Sequence, residues 1–303
     1  MRKARSHACI HILFSFCLGF LNSAFLFFTF RVVLESILVR HTQRCNGFIF
    51  VSSQTNLSIP TIDARVGEGR ESLWGKTKFG FRYVYNTSSE QYDWFLKADD
   101  DTDVIVENLR LLLTNYSSNK EVYLGYHFKE FLAEGLVFSP LRTPMIIAVL
   151  TFSGYASGGA GYVLSRKAVQ RFVDDGLNKN VCRSDSGGFE DVEIGTCLVK
   201  IGITIQDTRD SYGRARFFPF NAIWHMRLSD VKRKDFQGYF KYHDGDYLDC
   251  CADTAITFHN VSAAGMYLME HFIYRLKAYG INGYTSTRLP IQPEFLAITD
   301  TTA

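Results

Sequence analysis

The sequence predicts an α/β protein built on a largely parallel sheet, and three observations carry that prediction. Short apolar runs alternate with amphipathic stretches between Phe48 and Gln206, the pattern of strands joined by crossover helices that cover both faces of a sheet. The run Trp94-Phe95-Leu96-Lys97-Ala98 ends abruptly in Asp99-Asp100-Asp101 and leads into a helical pattern from Val104 to Leu113. Open α/β sheets bind ligands beyond the carboxyl ends of their strands, so a strand that delivers acids to that end is building a site. The 303 residues are 47% hydrophobic, with 26 Phe and 16 Tyr, enough for one large domain with a substantial core or two small ones. A net charge of +2 gives no sign of a nucleic-acid partner, and Lys232-Arg233-Lys234 reads as a solvated loop.

The elements follow in chain order. No Asp, Glu, Lys or Arg occurs from Ala8 to Phe30. At a rise of about 1.5 Å per residue such a run spans the hydrocarbon core of a bilayer, so 8–30 reads as one transmembrane signal anchor. Arg2, Lys3 and Arg5 place a cytosolic tail at 1–7 and the rest of the chain in the lumen. Residues 31–42 then form a short stem or the remnant of a first βα unit, 43–285 the lumenal domain and 286–303 a carboxyl-terminal tail. Asn56, Asn86, Asn115 and Asn260 each begin an Asn-X-Ser glycosylation sequon, in keeping with a lumenal domain. Beyond Cys9 and Cys17, five cysteines remain for an oxidising compartment where disulfides persist, so an odd thiol is left over.

Within the lumenal domain, Phe48 to Val51 reads as a buried strand, Gly69 to Tyr85 as a helix, Trp94 to Ala98 as a strand and Val104 to Leu113 as a helix. Val122 to Gly125 is another strand; Arg166 to Val173 and Asp191 to Lys200 are helices, and Thr204 to Gln206 a last strand. Alternation along an extended chain lets Asp99 and Asp101 point the same way, which suits a hard divalent cation carrying a diphosphate. An acidic cap for the helix starting near Asp103 is the plainer alternative. Ser157-Gly158-Gly159-Ala160-Gly161-Tyr162 is a small-residue loop that would let a ligand approach the backbone, although a tight turn also explains it. Glu190-Asp191 places two acids where the helix dipole favours anions, and His259 closes the strand-like run Ile256-Thr257-Phe258.

In combination, WFLKADDDT, SGGAGYVLS, EDVEIG, DCCADTAITFHNV and the Asp207-Thr208-Arg209-Asp210-Ser211 segment resemble the inverting β1,3-glycosyltransferases that include Fringe, and within them the core 1 β1,3-galactosyltransferases. The resemblance runs from about Gln43 to Tyr279. It implies a GT-A fold with helices on both faces of a nucleotide-sugar-binding sheet, UDP-galactose as donor, Mn²⁺ (or Mg²⁺) as cofactor, and a single-pass type II protein of the Golgi membrane. That protein would act on GalNAc-bearing glycoproteins; a second copy of the chain and a dedicated chaperone are further partners the resemblance brings. Residue by residue, it implies that Asp99, Asp101 and His259 are metal ligands, that Asp191 beside Glu190 is the general base, and that Asp99, Asp100, Lys76, Thr77, Gly158, Gly159 and Tyr162 line the donor site. Cys182 with Cys197 is the implied disulfide near the base, while Cys250 and Cys251 are open to a vicinal bridge or to other partners.

Departures from the family pattern carry expectations too. The family's catalytic domain opens with a cysteine-bearing strand and a helix, for which 31–42 has too little length, so that part of the nucleotide pocket is expected to be missing and Cys45 to lack its counterpart. The chain is longer than the family between Lys129 and Gly154. Gly75 stands where the family has Trp, and 236–249 contains no Trp, which weakens sugar stacking. These departures leave open a non-catalytic, chaperone-like relative, or a β1,3-transferase using another UDP-sugar.

Overall fold

The computed structural model describes residues 9–14, 44–53, 61–129, 154–226, 238–242 and 249–277. Its main sheet has six strands in the order β3-β2-β1-β4-β9-β6. These are β1 (Cys9–Phe14), β2 (Gly47–Ser52), β3 (Thr61–Asp63), β4 (Trp94–Asp99), β6 (Tyr123–Gly125) and β9 (Tyr162–Ser165). The first four run parallel, and β9 lies antiparallel between β4 and β6. From β1 the chain goes one way to β2 and β3 and later returns to place β4 on the other flank. The carboxyl ends of β1 and β4 therefore frame a topological switch point, where doubly wound sheets bind their ligands.

β1 corrects the reading of 8–30 as a membrane helix over its described part: Ile10 to Phe14 pair with Gly47 to Val51 on one side, and Cys9 to Phe14 pair with Trp94 to Asp99 on the other. A charge-free apolar run serves equally as a central parallel strand, because such a strand is buried on both faces. The same strand overturns the expectation that a cysteine-bearing strand ahead of Gln43 is missing, since β1 begins at Cys9. Residues 15–30 lie outside the described residues, and among those described no helix is long and apolar enough to cross a membrane.

Alternation along β4 divides the core. Trp94, Leu96 and Ala98 face one cluster with Leu109, Leu112 and Leu113 of α2 (Val106–Leu113), while Phe95 faces the other with α1 (Leu73–Ser88), α3 (Arg166–Arg171) and α4 (Glu190–Lys200). α1 buries Trp74, Thr77, Phe81 and Val84, a stripe at helical spacing. Truncating Phe81, fully buried against Tyr162 and Phe172, would cost about 3–5 kcal/mol. Helix α2 starts at Val106 with Ile105 at its N-cap and no side-chain cap, so the acidic triplet does not cap it; Asp103 belongs instead to β5 (Asp103–Val104). Thr204 to Gln206 contributes only a single bridge to Leu124 rather than a strand.

A small second sheet, β10 (Phe217–Phe218), β11 (Thr257–Phe258) and β5, positions the last part of the site. β11 pairs with β5 so that Phe258 faces Asp103, which carries His259 to the acidic loop after β4. The β7 (His127–Phe128) and β8 (Tyr155–Ala156) pair leads into the glycine loop. The expected bridge of Cys182 with Cys197 is present, and Cys250 and Cys251, whose partners the sequence left open, form a vicinal bridge. The apolar run 145–152 lies outside the described residues, as does most of 236–249.

Candidate active site at the carboxyl end of β4

Asp99 is the last residue of β4, Asp101 follows in the turn, and His259 sits just past β11. Their ligand atoms lie within 4.8 Å of one another, so the trio is able to hold a metal ion. His259 Nε2 is 3.1 Å from Asp101 Oδ1 and 3.8 Å from Asp99 Oδ2. Its other ring nitrogen is 2.9 Å from the Pro219 carbonyl, which sets the ring's orientation as a supporting acceptor does for a metal-binding imidazole. Burial pushes the His259 pKa down, but the hydrogen bond to Asp101 and the charges of Asp101 and Asp99 outweigh it and raise it. Two carboxylates and an imidazole suit a divalent cation. Asp100, partly exposed, stands outside the trio.

The Gly158-Gly159 turn connects this trio to the acids of α4. A Cβ on Gly159 would come within 2.4–2.8 Å of the His259 ring, and one on Gly158 within 2.8 Å of Glu190 Oε2. The space left by these glycines is thus filled by the site's own side chains, where the sequence suggested an approaching ligand. Thr102 Oγ1 donates to the Gly159 carbonyl and Thr257 Oγ1 to the Ala160 carbonyl, which pins the turn to the acidic loop and to β11.

Asp191 lies on the other side of the same turn. The Gly158 amide donates to its Oδ2 at 3.1 Å, and the Val192 amide to its Oδ1 at 3.0 Å. Burial and the neighbouring Glu190 push its pKa up to about 6, partly offset by the Gly158 hydrogen bond and Lys97. The N-cap of α4 is Phe189 and makes no side-chain cap, so capping does not account for the acid pair. A partly exposed carboxylate with a pKa near neutrality has the properties of a general base.

Glu190, in contrast, points inward. Its Oε1 accepts from Thr77 at 2.8 Å and from Tyr162 at 2.6 Å, and its Oε2 is 3.4 Å from Lys97 Nζ. Burial, then the Glu190 charge, push the Tyr162 hydroxyl well above its ordinary pKa, so it stays a donor. Lys76 pairs with Glu68 at 3.0 Å. Lys76, Thr77 and Tyr162 are all fully buried and have no surface to offer a donor sugar. Thr77 and Tyr162 instead brace Glu190 at the start of α4. Gly75 has no room for the family's Trp, since a Cβ there would lie 2.7 Å from Ser186 Oγ and 3.0 Å from Val66.

Lys97 is the site residue that sequence reasoning passed over. Its Nζ is 2.6 Å from Asp99 Oδ1 and donates to the Gly158 carbonyl at 3.2 Å, so it joins the metal side to the base side. Burial lowers the pKa of this ammonium, but Asp99 and Glu190 more than compensate and raise it. A lysine inside an apolar strand, two residues before an acid, was the available signal, because buried lysines are paired.

The sheet thus carries at its switch point an acidic trio able to hold a cation, with the Asp191 carboxylate across one glycine turn. The Fringe-like family pattern matches residues 65–212 of this chain. The chain is 39% identical over 241 residues to the glycoprotein-N-acetylgalactosamine 3-beta-galactosyltransferase 1 of Xenopus laevis, covering 79% of this chain and 61% of that protein. It is also 29% identical over 156 residues to the beta-1,3-glucosyltransferase of Homo sapiens, covering 52% of this chain and 27% of the relative. The chain thus spans about three fifths of the Xenopus relative and a smaller part of the human one. Among solved structures, the galactosyltransferase LgtC in complex with donor and acceptor sugar analogs is 11% identical, with a TM-score of 0.42, over 88% of this chain and 97% of that one.

Proposed function

We propose that this chain transfers galactose from UDP-galactose in β1,3 linkage to GalNAc-α-Ser/Thr of glycoproteins, with inversion and with a divalent cation, Mn²⁺ in the first instance. The observation that carries the reading is the placement of Asp99, Asp101 and His259 on one side of the Gly158-Gly159 turn and Asp191 on the other. The similarity to the Xenopus enzyme supports the choice of donor and acceptor.

Asp99, Asp101 and His259 would hold the metal, which when bound supplies a Lewis acid for the diphosphate of the leaving UDP. Asp191 takes the proton from the acceptor hydroxyl as that oxygen attacks the anomeric carbon. The new bond forms on the face opposite the breaking bond to UDP, so the anomeric configuration inverts. Gly158, through its amide, keeps the Asp191 carboxylate aimed, and Lys97 holds Asp99 and Glu190 in place. One base suffices, where a glycosidase needs a carboxyl pair because its leaving group must be protonated.

We place the chain in the Golgi lumen. Exposed sequon residues Asn86, Asn115 and Asn260 and the two disulfides support an oxidising, glycosylating compartment. The test is transfer of galactose from UDP-galactose to a GalNAc-α-Thr peptide by the full chain purified from secretory-pathway expression. Activity that requires Mn²⁺ and is lost in Asp101→Ala and Asp191→Asn is expected. A folded parent that transfers nothing would sink the proposal.

A further inference from the structure

A recess apart from the Asp99-Asp101-His259 trio is lined by Tyr126, His127, Asp207, Arg209, Arg216 and Tyr242, among others. Three arginines lie within Arg209 to Arg216, and their charges are handled differently. Arg214 is paired with Asp210 at 2.8 Å and Asp253 at 3.0 Å. Arg209 is paired with Asp207 at 2.7 Å and lies flat on the Tyr242 ring at 3.6 Å. Arg216, partly buried, donates only to neutral oxygens: Thr208 O at 2.8 Å, Arg209 O at 3.0 Å and Thr254 Oγ1 at 3.2 Å. Among the described residues no carboxylate forms an ion pair with it. A partly desolvated guanidinium in a recess, held by its neighbours and without a carboxylate partner among the described residues, is arranged to receive an anion, since Asp207 in the same recess is already paired with Arg209.

The recess is built on the backbone that carries the site. Arg216 runs directly into β10, whose Phe218 carbonyl accepts from the His259 amide, and the next carbonyl, that of Pro219, orients the His259 ring. On the other wall, the Tyr126 carbonyl accepts from the Ser157 amide, one residue before the turn that holds Asp191. Three residues of chain, at most about 10 Å, separate Arg216 from Pro219, a span that a polymeric acceptor lying across the site can bridge. We propose that this recess is a second recognition site that takes the carboxylate of an acidic residue in the acceptor polypeptide near its glycosylated Ser or Thr. The assignment rests on the transferase reading above.

The test compares two GalNAc-α-Thr peptides differing only by Glu or Gln near the sugar, with the parent full chain, Arg216→Gln and Arg216→Lys. For the parent, kcat/KM is expected to favour the Glu peptide by about tenfold, the scale of one charge-assisted hydrogen bond. That ratio should fall to near one in Arg216→Gln and largely persist in Arg216→Lys, whatever the absolute rates. A parent ratio near one, or a ratio unchanged in Arg216→Gln, overturns the proposal. If Arg216→Gln does not fold, the parent's ratio decides the matter: it must collapse between about 0.05 and 0.5 M NaCl, and a salt-independent ratio overturns the proposal. Failure of the transferase reading shows itself separately, as no transfer to either peptide. Fluorescence anisotropy of the two labelled peptides still reads the recess in that case, and equal affinities overturn it.

Discussion

Nζ of Lys97 and Oδ1 of Asp99 are 2.6 Å apart on one face of β4, inside the protein. Two residues of one strand thus form a buried ion pair that reaches on to Glu190 at 3.4 Å. Replacing Lys97 with Met would leave two buried carboxylates facing each other without their cation. Removing one partner of such a pair costs about 3–5 kcal/mol. Urea unfolding of Lys97→Met should show a loss of that size, and a loss below about 1 kcal/mol would mean the pair is dispensable.

Asp191→Asn separates chemistry from stability. Transfer should fall by about 10²–10⁴-fold, the usual weight of a general base. In the parent, the rate should drop as pH falls below about 6, where this carboxyl takes up its proton. Folding raises the Asp191 pKa from 3.8, so the stability of the neutral form is fully present below that value and is lost as pH rises through about 6. The Asn variant avoids the loss and should be more stable than the parent by about 1–3 kcal/mol at neutral pH, with the difference closing near pH 4. A variant destabilised at neutral pH would contradict this account.

Gly159→Ala tests the link between the turn and the trio. The added methyl would lie 2.4 Å from His259 Cε1, so the ring or the turn must move. Mn²⁺ should raise the parent's thermal midpoint, and about 10–100-fold more Mn²⁺ should be needed for the same rise in the variant, as when a metal ligand's orientation is disturbed. An unchanged Mn²⁺ titration would show that His259 does not hold the ion.

Cys182 and Cys197 join the loop before α4 to the helix itself, 15 residues apart in sequence. Gly176 packs against both sulfurs, with 2.9 Å from an added Cβ to either. Replacing both cysteines with Ser should cost about 3 kcal/mol for a loop of this length. Equal unfolding midpoints with and without a reducing agent would argue against the bridge.

Much of the central sheet could be read along the chain. The β4 run with its acids, helices α1, α2 and α4 and the β2 strand follow from apolar periodicity, although α1 runs over Leu73–Ser88 rather than from Gly69 to Tyr85 and α2 starts two residues late, at Val106. Short elements were harder: β10 and β5 have two residues each, too few for a period to register. β1 was misread because a run without charges satisfies a bilayer and a buried parallel strand alike. Only its pairing with β2 and β4, more than thirty residues away, distinguishes the two.

The division at the site has one physical cause. Sequence by itself determined which groups are chemically able to act: two carboxylates at a strand end, a second acid pair opening a helix, a histidine closing a strand and a run of small residues between them. Side-chain direction was decided only by tertiary structure. Glu190 and Asp191 are adjacent and identical in charge, yet Thr77, Tyr162 and Lys97 hold one fully inside while the Gly158 amide holds the other half-buried beside the glycine turn. Burial and hydrogen-bond partners come from residues distant in sequence, and they set both the pKa of an acid and the side of the turn from which it acts.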